Sequence, residues 1–576
     1  MSPSDIEWSG EFRCGDGVCG VNNITSLEGA SAGARGRCIE AATSQNECFD
    51  FFGFLASGSD ADLDFELHFD PLSAGSNAGT DLVELVACLL DLMLGLISQN
   101  SAPCPLDPMP EPISRKPRTQ LLSVAQQPLK LTLPSTPIAA AKRYGNIYTV
   151  WGGPEPIVVL SGFETVEDAL VKNSENFAGR PVTPFFKVVT KEKGIVFSNG
   201  HTWKQQRKFG LVTLRKLGLG KKGVENQVQE EAQQLVETFA RAKGQPIDPS
   251  IHLVNAVSNV VCALVFGHRY SVEDEEFLQL MDAADYSLKF GSSFFHVLYE
   301  MFPGIMKHIS WPYKKAFDAV DVVLSHARKE IEKHRRQLAE HDPRDYIDYY
   351  ILQMEKSKND PTSTYNEENL VQSISDLIVA GTDTTSSTLQ WTMLLMLIHQ
   401  DVQAKVQKEI EEAFGSTQSI DYQYRRKVPY TFATIHEAMR FKCVLLAGIP
   451  RLCLKDINIL GSHIPKGCTV VPNVYSVLFD PKQWETPEKF NPNHFLDKNG
   501  QFVDREELLL FGAGARICVG KEMAKMEVFI FFTNLLRAFN FRLPEGVKEV
   551  STKPIKGLTM TPQHYEVCAI PRNSNS

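Results

Sequence analysis

Phe511-Gly512-Ala513-Gly514-Ala515-Arg516-Ile517-Cys518-Val519-Gly520 is a glycine-rich loop that runs directly into an apolar stretch with helical spacing, Lys521 to Phe539. A cysteine in that setting reads as a thiolate site. A helix N-terminus offers unpaired N–H groups and the positive end of the dipole, which lower a thiol pKa and favour the anion as a metal ligand. Gly514 and Gly520 would let the backbone approach a flat cofactor closely, and Arg516 would pair with a carboxylate on it. The competing reading is a buried structural cysteine, the commoner role of a lone Cys.

Working outward from the loop, Glu437 and Arg440 sit three apart on a helix and can pair on one side of it. Ala380-Gly381-Thr382-Asp383-Thr384-Thr385 lies inside a helical run of about 33 residues, about 50 Å long at 1.5 Å per residue. Gly381 and the adjacent hydroxyls weaken regular helix and open a groove on which an acid beside an alcohol relays protons. The plainer reading is a polar bend in a core helix. Trp203 and Arg207, four apart, share one helical face, which by itself is most often a packed Trp beside a solvated Arg.

Taken together and in this order, these strings resemble the cytochromes P-450, the haem-thiolate monooxygenases, whose axial-ligand loop reads Phe-x-x-Gly-x-Arg-x-Cys-x-Gly. The resemblance runs from about Ile138 to Arg572 and is nearest to vertebrate microsomal family 2, for which Phe197-Ser198-Asn199-Gly200 and Phe490-Asn491-Pro492-Asn493-His494-Phe495-Leu496 are typical. It implies Cys518 as the thiolate ligand of haem iron, with Phe511, Gly514 and Gly520 in the cofactor loop. It implies Arg180, Trp203, Arg207, Arg451 and Arg516 around the haem propionates. Asp383 and Thr384 become the proton-delivering pair. Glu437, Arg440 and His494 form a structural network, with His494 where the family often has Arg. One departure is Lys521, where Glu usually follows the last loop glycine.

The same resemblance places Phe197, Ala380, Leu445, Ile449 and Leu558 against substrate, with Phe294 and Phe295 in a mobile lid. The implied activity is haem-dependent insertion of one oxygen atom of O2 into a lipophilic xenobiotic, fatty acid or steroid. Electrons come from NADPH through the flavoprotein NADPH-cytochrome P-450 reductase, with cytochrome b5 as a second donor. Lys204, Lys208, Lys221, Lys222, Lys521 and Lys525 would then form a basic docking face rather than an ordinary solvated one. Two rivals are a haem-thiolate isomerase, against which the intact Asp383-Thr384 pair argues, and a non-enzymatic haem-binding sensor.

The expected fold is mainly α with a small β subdomain, one large haem-binding domain of the cytochrome P-450 type over 139–576. Helical patterns cover Gly223 to Ala242, Tyr313 to Gln337, Asn366 to His399, Gln403 to Phe414, Tyr430 to Phe441 and Lys521 to Phe539. Ile147 to Trp151 and Ile157 to Leu160 are β-rich runs split by Gly152-Gly153-Pro154, a hairpin signal.

The 576 residues carry 59 Lys plus Arg against 69 Asp plus Glu, a formal net charge of -10, which argues against a nucleic-acid partner. That charge is concentrated at one end: residues 1–110 hold 17 acidic and 3 basic residues, so the rest is slightly positive. Six of the 12 cysteines also fall there. Residues 1–110 read as an atypical acidic, disordered extension and 111–138 as a Pro-rich basic linker. A disulfide module on Cys14, Cys19, Cys38 and Cys48, or glycosylation at Asn23-Ile24-Thr25, would need a secretory context that Met1 onward does not signal. Leu82 to Ile97 is apolar over 16 residues but interrupted by Glu84 and Asp91, marginal against the roughly 20 that a span needs. The resemblance implies the endoplasmic reticulum membrane, cytoplasmic face.

Overall fold

The computed structural model describes residues 12–14, 17–19, 141, 143–152, 155–218, 222–308, 312–338, 342–415 and 419–572. The chain divides into two units, Met1–Arg118 and Thr119–Ser576. In the first unit, β1 (Phe12–Cys14) and β2 (Gly17–Cys19) form an antiparallel hairpin where the composition read as disorder. Its register sets Cys14 opposite Gly17 and Cys19 opposite Phe12. The apolar run Leu82 to Ile97 and the rest of the extension lie outside the described residues.

The second unit is mainly helical, with small sheets at its edges. Its longer helices, in chain order, are α1 (Pro184–Thr190), α2 (Gly200–Lys216), α3 (Lys222–Arg241), α4 (Pro249–Phe266), α5 (Glu275–Phe290), α6 (Phe294–Met301) and α7 (Tyr313–Gln337). They continue with α8 (Tyr346–Lys356), α9 (Glu367–Ile398), α10 (Gln400–Phe414), α11 (Pro429–Phe441) and α12 (Lys521–Ala538). The six helices expected from periodicity are all present, with ends within three residues. Local chemistry starts several of them: the Asp248, Asp274, Ser293, Asp345 and Asn366 side chains each accept a hydrogen bond from a backbone N–H in the first turn of α4, α5, α6, α8 and α9.

α9 is the axis of the core. Its apolar residues Leu370, Ile374, Leu389 and Met393 pack with α4, α7 and α12 in one large hydrophobic cluster. Of the described helices, only α4 is long and apolar enough to cross a membrane, and most of it is buried in that core.

The hairpin expected around Gly153 forms, with β3 (Ile147–Gly152) antiparallel to β4 (Glu155–Ser161). A four-stranded sheet results, in the order β3-β4-β9-β6, where β9 (Thr469–Asn473) runs parallel to β4 and antiparallel to β6 (Arg451–Leu452). β7 (Ile457–Ile459) and β8 (Ser462–Ile464) form a hairpin between them in sequence. β10 (Phe539–Arg542), β13 (Val567–Pro571) and β5 (Pro246–Ile247) form a three-stranded sheet, and β11 (Pro554–Lys556) pairs with β12 (Met560–Pro562).

A buried ion pair joins the end of α7 to the start of α8. His334 Nε2 lies 3.0 Å from Asp345 Oδ2, and His334 Nδ1 lies 2.7 Å from the Glu330 carbonyl oxygen. Both ring nitrogens face acceptors, so the imidazolium is the form that satisfies them, and a metal ligand role is not left open. Burial alone would lower the His334 pKa, but the hydrogen bond and charge of Asp345 outweigh it and the pKa is raised. A raised histidine pKa stabilises fully below the unfolded value and loses its contribution as pH climbs through the folded value. His334→Gln is therefore expected to lower stability by about 1–3 kcal/mol at pH 6, with a smaller deficit at pH 9. Urea unfolding at both pH values checks this; a deficit that does not shrink with pH would contradict it.

Candidate active site

An internal cavity of about 420 Å³, mostly apolar, lies beside α9 and the loop before α12. Phe511, Cys518 and Gly520 of that loop line it. Cys518 is enclosed by protein, yet its accessible face opens into the cavity. Its backbone N–H donates to the Phe511 carbonyl at 2.9 Å, which closes the loop on itself. Burial raises the thiol pKa, while the N–H groups of Gly520 and Lys521 and the charge of Arg207 pull the other way. The Gly520 and Lys521 N–H groups are the expected helix-start donors, but burial outweighs them, so the thiol pKa is raised rather than lowered as the sequence led one to expect.

Gly514 serves a different purpose from the expected one. It has φ +67°, and a Cβ there would overlap the Leu170 carbonyl oxygen. Its lack of a side chain lets the loop pack on residues 168–174, not on a cofactor. Arg516 also departs from expectation, because backbone carbonyls occupy its guanidinium: Nε donates to Ala178, Nη1 to Ile195 and Val196, and Nη2 to Ser198 and to Asn199 Oδ1. It staples the cysteine loop to the segment before α2. No donor remains for a carboxylate.

The other cations are less satisfied. Arg451 is buried, and its Nε and Nη1 have no partner among the described residues. Arg180 donates through Nε to Val196 and through Nη1 to Ile449 and Pro450, which leaves Nη2 without an acceptor among the described residues. Arg207 donates through Nη2 to the Ile517 carbonyl. All four arginines line the cavity. Burial first, and mutual repulsion second, lower Arg451 to about 10 and Arg516 to about 9, and Arg180 well below its ordinary value. Trp203 does not line the cavity; its ring lies 4.1 Å under the Arg516 guanidinium, and its buried N–H has no partner among the described residues. The expected five-residue group is thus brought together, with Arg451 holding the largest unspent hydrogen-bonding capacity.

Asp383 and Thr384 line the same cavity. The expected break in the helix is absent: α9 is continuous through 380–385, and Thr384 Oγ1 donates to the Ala380 carbonyl at 2.7 Å. The hydroxyl satisfies itself on the preceding turn, so no backbone group is freed there. Asp383 Oδ2 is buried without a partner among the described residues, and burial pushes its pKa up to about 6, tempered by the Thr559 hydroxyl.

Two further carboxyls on the cavity wall escaped the sequence reading. Asp376 accepts from the N–H groups of Ile195 and Val196 at 2.6 and 2.9 Å and so pins the segment that Arg516 also holds. Glu527 of α12 is fully buried with neither oxygen in a well-formed hydrogen bond among the described residues, and burial drives its pKa well above the ordinary value, only partly offset by the nearby Thr385 hydroxyl. Its spacing, nine residues after Cys518 in an apolar helix, was the available signal.

Residues 114–569 match the family model for cytochrome P450. The chain belongs to the cytochrome P450 family. It is similar to cytochrome P450 2J2 of Homo sapiens, 40% identical over 434 residues, 75% of this chain and 86% of that protein. It is also similar to cytochrome P450 2C8 of Homo sapiens, 39% over 432 residues (75% and 88%), and to cytochrome P450 2C7 of Rattus norvegicus, 38% over 494 residues (85% and 100%). These relatives place it close to family 2 of the P450 enzymes, the haem-thiolate monooxygenases that use haem iron and O2.

The P450 cavity fits a haem on its own chemistry. A thiol opens into it, and the unpartnered donors of Arg451 and Arg180 need anionic acceptors of the kind two haem carboxylates provide. Phe197, Ala380, Leu445, Ile449 and Leu558 all line the P450 cavity. Phe294 does not; it is exposed, and Phe295 packs outside in the cluster of Phe185, Tyr299 and Tyr313. Phe185 and Phe186 of α1 take that place on the wall, with Phe186 stacked on Phe197 at 4.1 Å between ring centres.

The structural network sits apart from the cavity of this P450. Arg440 forms a two-pronged pair with Glu437, both bonds 2.8 Å, and donates to the carbonyls of Leu478, Pro487 and Lys489. Glu437 also accepts from Asn491 N–H and lies 3.1 Å from His494 Nδ1. Thr486 N–H donates to His494 Nε2, so a neutral His494 carries its proton on Nδ1 and donates to Glu437. All three side chains are buried, and every oxygen and nitrogen of the pair has a partner.

Among the basic residues, Lys204 and Lys208 are exposed on α2, while Lys521 and Lys525 are only half-exposed. Burial lowers the Lys525 pKa. Lys221 and the side chain of Lys222 lie outside the described residues.

An acid whose folded pKa is raised destabilises the fold once pH exceeds its unfolded value. Glu527→Gln removes that penalty. It is expected to raise the thermal midpoint of the holoprotein at pH 7.5 by a few degrees, corresponding to about 1 kcal/mol or more, with the gain vanishing near pH 4.5. Calorimetry at the two pH values reads this; a gain independent of pH would contradict it.

Proposed function

We propose that this P450 inserts one oxygen atom of O2 into a lipophilic substrate, a xenobiotic, fatty acid or steroid, with electrons from NADPH delivered by a flavoprotein reductase. The observation that carries the reading is that a single apolar cavity is lined by both Cys518 and the Asp383–Thr384 pair. Haem, when bound, supplies the activation of dioxygen and the transfer of oxygen. The chain's own part is to hold, protonate and exclude. Cys518 would hold the iron as its thiolate ligand, and Arg451 with Arg180 would hold the carboxylates. Asp383, with its pKa near 6, gains and loses a proton close to neutral pH, and Thr384 beside it offers a hydroxyl oxygen to pass that proton on. Phe186, Phe197, Leu445, Ile449 and Leu558 keep water away and orient an apolar molecule loosely.

The exposed Lys204 and Lys208 support docking of an acidic donor, NADPH-cytochrome P-450 reductase or cytochrome b5, on the side of α2 that Arg207 ties to the cysteine loop. The family-2 relatives support the cytoplasmic face of the endoplasmic reticulum membrane as its place.

The ligand assignment is tested by the spectrum of the reduced, carbon-monoxide-bound protein. The wild type is expected to show a strongly red-shifted Soret band that Cys518→Ser loses; a band that persists in the variant would sink the assignment. For the proton relay, Thr384→Ala is expected to retain haem while raising the hydrogen peroxide released per NADPH. Unchanged coupling would count against the relay, and a wild type that turns substrate over without reductase would favour the isomerase.

A further inference from the structure

Two thiols lie outside the cavity, in the sheet that carries Arg451. β6 and β9 pair antiparallel with Arg451 opposite Val470 and Leu452 opposite Thr469. The pairing continues one step further, to Cys453 and Cys468. Cys453 N–H donates to the Cys468 carbonyl at 2.9 Å, and the Cys453 carbonyl accepts from Gly467 N–H at 2.8 Å. Gly467 and Cys468 together therefore face Cys453, a bulge of the kind that needs glycine, and Gly467 has φ +87°. Opposed residues of an antiparallel pair have their Cα atoms about 4.5–5.5 Å apart, inside the range of about 4.4–6.8 Å that a disulfide spans. Both side chains belong to one apolar cluster with Val158, Ile459 and Val470.

The two thiols differ in access. Cys453 is buried, and its Sγ donates to the Lys455 carbonyl at 3.0 Å. Cys468 is half-exposed beside the exposed turn Pro465 to Gly467. An oxidant in solution meets Cys468 first, with Cys453 waiting behind it.

We propose that Cys453 and Cys468 are an oxidative modification site, a dithiol that closes to a disulfide with hydrogen peroxide as oxidant. The Cys468 thiol takes one peroxide oxygen to become a sulfenic acid and releases one water. The Cys453 sulfur then attacks the Cys468 sulfur; the S–O bond breaks, the S–S bond forms, and the hydroxyl leaves with the Cys453 proton as a second water. Two thiols and one peroxide give one disulfide and two waters. The link ties β6 to β9 two residues after Arg451. It bears also on the backbone beside Arg180, because Leu452 N–H and Leu454 N–H donate to the carbonyls of Gly179 and Asn176.

The test treats the full-length holoprotein with hydrogen peroxide, blocks remaining thiols with iodoacetamide, and digests with trypsin without reduction. Cleavage after Arg451, Lys455, Lys466 and Lys482 yields residues 452–455 and 467–482 as the two cysteine peptides. The expected result is one linked species of these two peptides, 2 Da below their sum, abolished by dithiothreitol. Cys453→Ser is expected to lose the link and leave Cys468 as a sulfinic or sulfonic acid; Cys468→Ser is expected to leave Cys453 alkylated once the protein is unfolded. The proposal is overturned if both wild-type peptides emerge alkylated or separately oxidised. It is equally overturned if either cysteine is found joined to a different cysteine of the chain.

Discussion

Four guanidinium groups share one internal cavity, and no carboxylate among the described residues forms an ion pair with them. Buried like charges of this kind are tolerated only when something satisfies each donor, since an uncompensated buried charge costs about 3–5 kcal/mol. The protein solves half of the problem with its own backbone. Arg516 spends its donors on residues 178–199, Arg180 adds Val196, Ile449 and Pro450, and Arg207 reaches Ile517. In doing so the cations fix the relative positions of the segment before α2, the entry to β6 and the cysteine loop. What they leave over, chiefly Arg451, is a demand for anions at one place beside Cys518. A dicarboxylate cofactor bound there would complete the same electrostatic arrangement that holds the loops in register, so cofactor and fold would stabilise each other by mass action.

The Glu437–Arg440–His494 network shows the opposite solution. There the positive charge has its carboxylate, every carbonyl it needs, and a histidine whose tautomer is set by Thr486. Nothing is left for a ligand to complete, and the group serves to lock α11 to the chain between Leu478 and His494. The contrast separates two kinds of buried polarity in one protein: groups that are closed, which build, and groups that are open, which bind or react. Arg451, Asp383 and Glu527 are open, and all three line the cavity.

Much of this was legible in the sequence because it is local. The helices at 222–241, 313–337 and 367–398 announce themselves by an apolar stripe, and the β3–β4 hairpin by Gly153-Pro154. α4 did not, because it is buried nearly all round and a helix without a polar face has no stripe to read. β5 and β6 are two residues long and exist only through their partners. At the site, Cys518, Asp383 and Thr384 were found through their motifs. The part played by Arg516 was not, since hydrogen bonds to backbone carbonyls more than 300 residues away leave no trace in composition or spacing. Gly514 was misassigned for a related reason: its glycine answers to the Leu170 carbonyl, not to the cofactor. Asp376 and Glu527 look like ordinary helical acids until the fold buries them.

The three acids on the cavity wall are not equivalent, and the difference follows from what each one faces. Asp376 has two backbone N–H partners and Gln372, so its charge is spoken for by structure. Glu527 has no hydrogen bond to either oxygen among the described residues, and burial drives its pKa well above the ordinary carboxylate value. A group so reluctant to ionise takes part poorly in proton exchange, because efficient transfer needs a pKa near the working pH. Asp383 meets that requirement at about 6. It is buried enough to hold a proton part of the time, yet close enough to Thr559 for its anion to be stabilised. Its neighbour Thr384 has given its hydroxyl hydrogen to Ala380, so the oxygen that remains is an acceptor pointed to by no other donor among the described residues.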